Sequence, residues 1–570
     1  MKKIKWTLAY VAITLAICSP CYAEWAINYG SNYSETANSI QQTQDGGFIV
    51  AGTNGYLITK FNSDGTVNWQ KEYMLEFFDE AQSIRQTRDG GYIVVGTSAL
   101  NYYDNMWIIK LNAEGDAEWQ KEINLEENPN HRGRAYSVKE TFDLAGPEEN
   151  PNGYIVAGTT IHLTGATYDI WVLKLNLNGT INWQKTYNLH TDGAYSIEQT
   201  FDQPGNPNGY VVAGSTGYFY GNAWLLKLNL DGSIDWEKIY GGSSRQANSI
   251  KQTRDGGFIV AGFGWAEQGD PNELATGRHF WVAKLDSYGL VQWQKVYGGS
   301  ISEDVAFSVE EVLDPSENPN GYVVAGETSN FGAGQKDVWV LKLDLDGNID
   351  WEKTYGGSFN ESANSIQQTF DQAGNPNGYA VAGYTWSFGT GRDAFVLKLN
   401  VNGEIPDCNL MGTSGTIVSE GSFYFYENPP DASVQDSEAT ASATYISPIE
   451  PEYPASVICE WSDDALDLDI ARFSVTKSVR LTRVKPIKIK LVVKNNGIVE
   501  EPGMATVVGV QDVEEVYNLT MQVSDKVSGG GTTHFFPEYT PKVLGDIMWT
   551  ATIDDDDADV DEATALTVVK

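Results

Sequence analysis

The sequence predicts an all-β protein: a seven-bladed β-propeller closed by the mature N-terminal strand, plus a C-terminal immunoglobulin-like β-sandwich. Three observations carry this. The phrase Trp-(Gln/Glu)-Lys starts at Trp69, Trp119, Trp183, Trp236, Trp293 and Trp351, at spacings of 50 to 64 residues, a period typical of propeller blades and solenoids. Each period holds four short β-branched or aromatic runs parted by glycine turns, with no sustained helical period. The 57 Gly, 17 Trp and 30 Tyr of the 570 residues suit many short strands joined by tight turns.

The chain opens MKKIKWTLAYVAITLAICSPCYA. Lysines ahead of an apolar stretch, then Cys21-Tyr22-Ala23, read as a signal peptide over residues 1–23. The product is expected to be exported, whether extracellular, on the cell surface or periplasmic. No later segment is long and apolar enough to be a transmembrane helix. The formal net charge is −38, and the leader removes Lys2, Lys3 and Lys5 but no acid. Such a surface repels phosphate backbones and anionic lipid, which argues against nucleic-acid and membrane-surface partners; it also favours solubility.

The propeller is expected over residues 24–408. Its first strand reads Ala-x-Ser-(Ile/Val) in seven copies, from Ala37-Ser39-Ile40 to Ala363-Ser365-Ile366. Small residues suit the innermost strand, where blades converge on the axis. The second strand is a glycine-led aromatic and β-branched run such as NGYVVAG at 208–214, the third is WVLKL or a variant, and the fourth contains the Trp. Aromatic residues gather in the later strands, where blades splay and wider gaps need filling. Asn178-Gly179, Asp231-Gly232 and Asp346-Gly347 make the turn between third and fourth strands. Some of these turns resemble fragments of a calcium loop. The equivalent Asn176–Gly179 and Asn400–Gly403 turns lack a carboxylate, so the shared feature is turn chemistry.

The seventh copy runs through DAFVLKLNVNGEI and stops at Pro406-Asp407-Cys408 without a Trp strand. Trp25-Ala26-Ile27-Asn28-Tyr29-Gly30 matches Trp236–Gly241 at Trp, Tyr and Gly. The amino-terminal strand is therefore expected to complete the last blade and remove two open sheet edges.

Across residues 25–405, phrases such as DGGYIVVGT and DVWVLKLDLDGNIDWEKTYGG resemble the exported bacterial propeller repeats grouped with the quinoprotein-dehydrogenase-like superfamily. The fourth-strand phrase is similar to the tryptophan-docking repeat of those dehydrogenases. The resemblance implies the fold and carries no activity.

Residues 409–461 are rich in Ser, Thr, Ala and Pro and read as a linker or extended strap. Cys408 and Cys459 bracket it and are the only cysteines beyond the leader. In an exported protein they are expected to form a disulfide, worth about 4 kcal/mol of unfolded-chain entropy. Residues 462–570 show strand alternation in KPIKIKLVVKNNG (485–497) and DIMWTATIDDDD (546–557), as expected of an immunoglobulin-like sandwich. LVVKNNG, IMWTATIDDDDADVDEA and ALTVVK resemble adhesion-related sandwich domains of bacterial surface proteins.

Candidate chemistry is sparse. The five His share no ligand spacing. The acidic run Asp554, Asp555, Asp556, Asp557, Asp559, Asp561 and Glu562 is the main metal candidate, with Ca2+ the ion such oxygen donors take; its competing reading is a solvated loop. Glu35, Glu80, Asp192, Glu303, Asp304 and Glu361 precede innermost strands; one reading has them ring a channel mouth and attract a cation or basic partner, and the favoured reading is solubility of each repeat. There is no adjacent Cys pair of the kind pyrroloquinoline-quinone dehydrogenases carry, no Asp-box spacing of a sialidase and no GxSxG elbow, so no catalytic residue is predicted. Blade 5 carries an insertion, FGWAEQGDPNELATGRHF (263–280), whose Trp265, Arg278 and His279 are expected to be exposed and form the preferred binding surface. The leading reading is an exported non-enzymatic binding or surface-interaction protein whose loops take a protein or glycan. The alternatives are a degenerate propeller enzyme acting on polysaccharide and a structural subunit of an envelope complex.

Overall fold

A computed structural model describes residues 24–405 apart from short loop segments, of which 267–276 is the longest; beyond 405 it describes the backbone of strands only. Seven antiparallel sheets follow one another along residues 24–405. The first blade comprises Ala37–Gln42, Phe48–Gly52, Tyr56–Phe61 and Val67–Tyr73, and the next five repeat that order. The seventh takes Glu361–Phe370, Pro376–Thr385 and Asp393–Leu399 from one end of the repeat array and Glu24–Tyr29 from the other. Trp25 pairs with Lys398, Ile27 with Val396 and Tyr29 with Ala394, so the ring closes as its broken seventh copy predicts.

Every innermost strand is bulged between its Ala and its Ser. A bulge re-aims the side chain that follows it. Here each Ser Oγ accepts the backbone N–H of the next blade's inner strand, from Ile84 on Ser39 (3.3 Å) round to Ile40 on Ser365 (3.4 Å), seven bonds in a closed circuit.

The core lies between blades. Ile40, Val50 and Phe61 of blade 1, for example, pack with Trp25, Ala380 and Val396 of blade 7. Third-strand Trp107, Trp171, Trp224, Trp281 and Trp339 are fully buried there, filling the splay. The third-strand lysines are buried too. Lys60, Lys110 and Lys284 reach the Asp of a short Asp-Gly-Gly turn, whereas Lys174, Lys227, Lys342 and Lys398 reach a backbone carbonyl of the longer Pro-Asn-Gly turns. The two turn types are two ways of satisfying one buried ammonium group.

The segment read as a linker or strap adds an outer strand to most blades. Met411–Gly412 pairs with blade 6, Ile417–Ser419 with blade 5, Tyr424–Tyr426 with blade 4, Ser433–Asp436 with blade 3 and Thr440–Ala443 with blade 2. Ala455–Trp461 then joins the amino-terminal strand of blade 7. Among the described residues blade 1 has no fifth strand. Glu24–Glu460 accordingly forms one compact unit.

The second unit, Trp461–Lys570, contains a three-stranded sheet (Leu468–Val475, Ile487–Asn495, Thr532–Tyr539). Its five-stranded sheet is built on Gly503–Gln511, Glu514–Val523, Gly545–Asp554 and Asp561–Val569, with Ser478–Val479 at one edge. Among the described residues no helix is long and apolar enough to cross a membrane.

Candidate functional site

Two residues beyond each ring Ser, the inner strands line an axial cavity of about 400 Å³. Its charged residues are Arg85, Lys139, Glu140, Glu198, Lys251 and Glu310. Glu198 Oε2 lies 2.9 Å from Lys139 Nζ and 3.3 Å from Lys251 Nζ. Burial pushes the Glu198 carboxyl up, but these two ammonium groups overcome it and hold it at about 2. Glu310 is pushed up by burial, although Gln368 N–H donates to its Oε2 at 2.8 Å. The cavity is thus plugged by charges that satisfy one another. Ser137, Ser196, Ser249, Ser308 and Ser365 also line it, and their Oγ atoms already accept backbone N–H groups.

The acids that one reading places at a channel mouth do not gather there, and none lines the axial cavity. Glu80 and Glu303 are exposed, Glu35, Asp304 and Glu361 are fully buried, and the Asp192 side chain lies outside the described residues. The reason is local. They sit in the connections that enter each inner strand, where a buried carboxylate is satisfied by loop donors. Glu361 accepts Thr385 Oγ1–H (2.8 Å), Ser387 N–H (3.1 Å) and Gly357 N–H (2.9 Å).

The blade 5 insertion extends a hairpin, with Trp265 opposite Arg278 and Gly264 opposite His279. Trp265 is 37% exposed, and the exposed Arg278 guanidinium stands 4.9 Å from the Phe263 ring centre. His279, expected at the surface, is fully buried, with Nδ1 3.0 Å from Asp304 Oδ2. The next strand along supplies an acid that only the fold brings near it. The side chains of the acidic run Asp554–Glu562, and those of Cys408 and Cys459, lie outside the described residues.

Two surface residues escaped the sequence reading. Phe359 is 56% exposed and Trp386 47% exposed. Their loops are tied across the blade 6–7 interface: Phe359 N–H donates to Ser387 Oγ (2.9 Å), Trp386 N–H to Asn360 O (2.9 Å) and Gln335 N–H to Phe359 O (3.1 Å). The available signal was the shared phrase Phe331-Gly332-x-Gly334 and Phe388-Gly389-x-Gly391 before Asp337 and Asp393. Gly332 and Gly389 have φ of 101° and 98°, and a Cβ on either would strike the following Asp. In antiparallel blades the second-to-third and fourth-to-first connections share a face. Trp265, Phe359 and Trp386 stand on it, with the half-exposed Tyr168 at the start of a third strand. The opposite face shows turn residues such as Leu177, Leu230 and Leu345, with Tyr288 and Leu290 in the corresponding turn of blade 5.

No protein-family model matches the chain. No curated protein matches it. Among solved structures, it is similar to Sqt1 from Chaetomium thermophilum, at 11% identity and TM-score 0.30, over 60% of this chain and 87% of that one. It is also similar to a tetra-tandem repeat in the extending region of a large adhesion protein, at 10% identity and TM-score 0.17, over 94% and 98% of the two chains. A third similarity is to the extracellular domain of a hybrid two-component system from B. thetaiotaomicron, at 10% identity and TM-score 0.17, over 96% and 100%.

Proposed function

We propose that this is an exported, non-enzymatic binding protein. It holds a glycan or protein ligand on the propeller face that carries Phe359, Trp386 and Trp265. The observation that carries the reading is the pair Phe359 and Trp386, two large aromatic side chains open to water on loops that hydrogen bond to one another. Rigid aromatics supply contact area at low entropic cost, and exposed apolar surface on a stable scaffold marks a contact site. The secretory leader, the likeness to exported propeller repeats and an immunoglobulin-like carboxy-terminal unit acting as spacer or attachment belong to the same reading. The acidic run Asp554–Glu562 would take Ca2+ there.

A glycan array and a pull-down with the mature chain test this. The expected result is binding without turnover, weakened at least tenfold (about 1.4 kcal/mol) by Phe359→Ala with Trp386→Ala, at unchanged thermal stability. Product formation from the bound ligand, or affinity indifferent to both substitutions, overturns it.

A further inference from the structure

Neighbouring blades meet at a recurring pair of positions: the residue two before the third-strand Trp or Phe and the residue two before the next blade's inner Ala. Between blades 5 and 6 these are His279 and Asp304, joined by a hydrogen bond. Between blades 6 and 7 they are Asp337 and Glu361, and between blades 7 and 1 they are Asp393 and Glu35.

The geometry is the same at all three. A Cβ on Gly298 would stand 2.1 Å from His279 Nδ1 and 2.8 Å from Asp304 Oδ2. On Gly356 it would stand 2.1 Å from Asp337 Oδ1 and 2.6 Å from Glu361 Oε2, and on Gly30, 2.7 Å from Asp393 Oδ1 and 2.9 Å from Glu35 Oε2. Only glycine fits behind each pair. All six side chains are buried, with Asp337 1% and Asp393 4% exposed.

The outward oxygens are occupied. Asp337 Oδ2 accepts Gly334 N–H (2.9 Å), Asp393 Oδ2 accepts Asn28 Nδ2–H (2.9 Å) and Glu35 Oε1 accepts Asn54 Nδ2–H (3.0 Å). The inward oxygens Asp337 Oδ1 and Asp393 Oδ1 are buried, accept no hydrogen bond and face the partner carboxylate. Burial and the Glu361 charge push Asp337 up to about 6. Where the chain puts His in place of the first acid, a hydrogen bond closes the gap. Where it keeps both acids, something positive is required between them.

We propose that the Asp337–Glu361 and Asp393–Glu35 pairs each bind one divalent cation, Ca2+ by donor chemistry, and so staple blade 7 to both of its neighbours. All donors are hard carboxylate oxygens, with no thiolate or imidazole, which selects against zinc. Two carboxylates balance the charge of one such ion, and water and loop carbonyls fill the rest of its shell. Among the described residues no three His, Cys, Asp or Glu converge on one point. The sites are therefore of the weak extracellular kind, with dissociation constants of roughly 10⁻⁴–10⁻³ M. Both sites flank blade 7, the sheet assembled from both ends of the repeat array; Asp169 and Asp192 hold the same two positions between blades 3 and 4, where the Asp192 side chain lies outside the described residues. Glu361 also accepts Trp386 N–H and Ser387 N–H, so its ion would stiffen the loops that carry the exposed aromatics.

The test is equilibrium dialysis of the EDTA-stripped mature chain against CaCl2, with thermal unfolding at each concentration. The Asp337→His, Asp393→His double variant copies the His279 arrangement. It is expected to bind two fewer equivalents than the parent and to lose the Ca2+-dependent rise in Tm. Asp337→Asn alone is expected to lose one equivalent, which keeps the test open should the double variant fail to fold. An unchanged stoichiometry and Tm response in these variants would place the ions elsewhere, the run Asp554–Glu562 being the obvious alternative, and would overturn the proposal. So would a parent that binds no Ca2+ but gains stability on acidification, since the pairs would then share a proton. Ligand binding by Phe359 and Trp386 is measured separately, so either reading can fail alone.

Discussion

A tryptophan in one blade explains a glycine in the next. Trp293 lies against Gly347, where a Cβ would stand 2.8 Å from its ring, and its Nε1–H donates to Leu345 O at 2.9 Å. Tyr297, on the same strand, donates its hydroxyl to Gly347 O at 2.6 Å. The glycine has φ of 75°, so it answers both to its turn and to the neighbouring ring. Gly374 has φ of 83° with nothing within 4 Å of an added Cβ. Gly347→Ala is therefore expected to cost about 2 kcal/mol more than Gly374→Ala in denaturant unfolding, because only the first adds a clash to the backbone strain. Equal costs would mean that the docking contact contributes nothing.

The axial charges give a pH prediction. Glu198 titrates at about 2 in the folded chain against 4.5 for an ordinary glutamate. A depressed carboxylate contributes stability above the unfolded value that is lost as pH falls through the folded one. Glu198→Gln is expected to destabilise the protein by roughly 2 kcal/mol at pH 7, a figure reduced because the side chain is a quarter accessible within the cavity. The gap between variant and parent should close as pH falls from 4.5 toward 2. A pH-independent gap would make the role of Glu198 one of shape alone. The residue identities here were legible in sequence, but their directions were not. Glu361 opens an inner strand and Lys139 lies within one, and only the bulge and the entering connection send one between blades and the other to the axis.

At the scale of elements, the inner and outer strands were readable because they repeat. Small residues fall inside, and the Trp-led strand missing from the seventh copy is found at the other end of the array. The outer strands added by residues 411–461 were not readable as such. They are two to seven residues long, too short for a period-two signal, and apart from Met411–Gly412 their partners lie more than a hundred residues away. A faint mark exists: Met411, Val418 and Phe425 recur every seventh residue, each pairing with the Tyr of a successive outer strand, and Val434 and Ala441 continue the series one blade each. The arrangement predicts an asymmetry. Amides in Val67–Tyr73, which among the described residues has no fifth strand beside it, should exchange with solvent faster than those in Val291–Gly298, which does. Equal protection in native-state exchange would contradict the outer pairing.

For the whole molecule, the repeat dictated a ring, but the surface was read less well. The blade 5 insertion drew attention because it is long. Phe359 and Trp386 were missed because each looks like an ordinary loop residue until blades 6 and 7 are brought together. His279 looked exposed for the complementary reason, since Asp304 is 25 residues away and in the next blade. Everything proposed for this protein, both the aromatic face and the paired carboxylates, assumes that blade 7 is assembled from both ends of the array. Hydrogen exchange over Trp25–Tyr29 in the mature chain measures that directly. The account predicts protection equal to that of Ile349–Tyr355 in blade 6; exchange at the rate of a free chain terminus would contradict it.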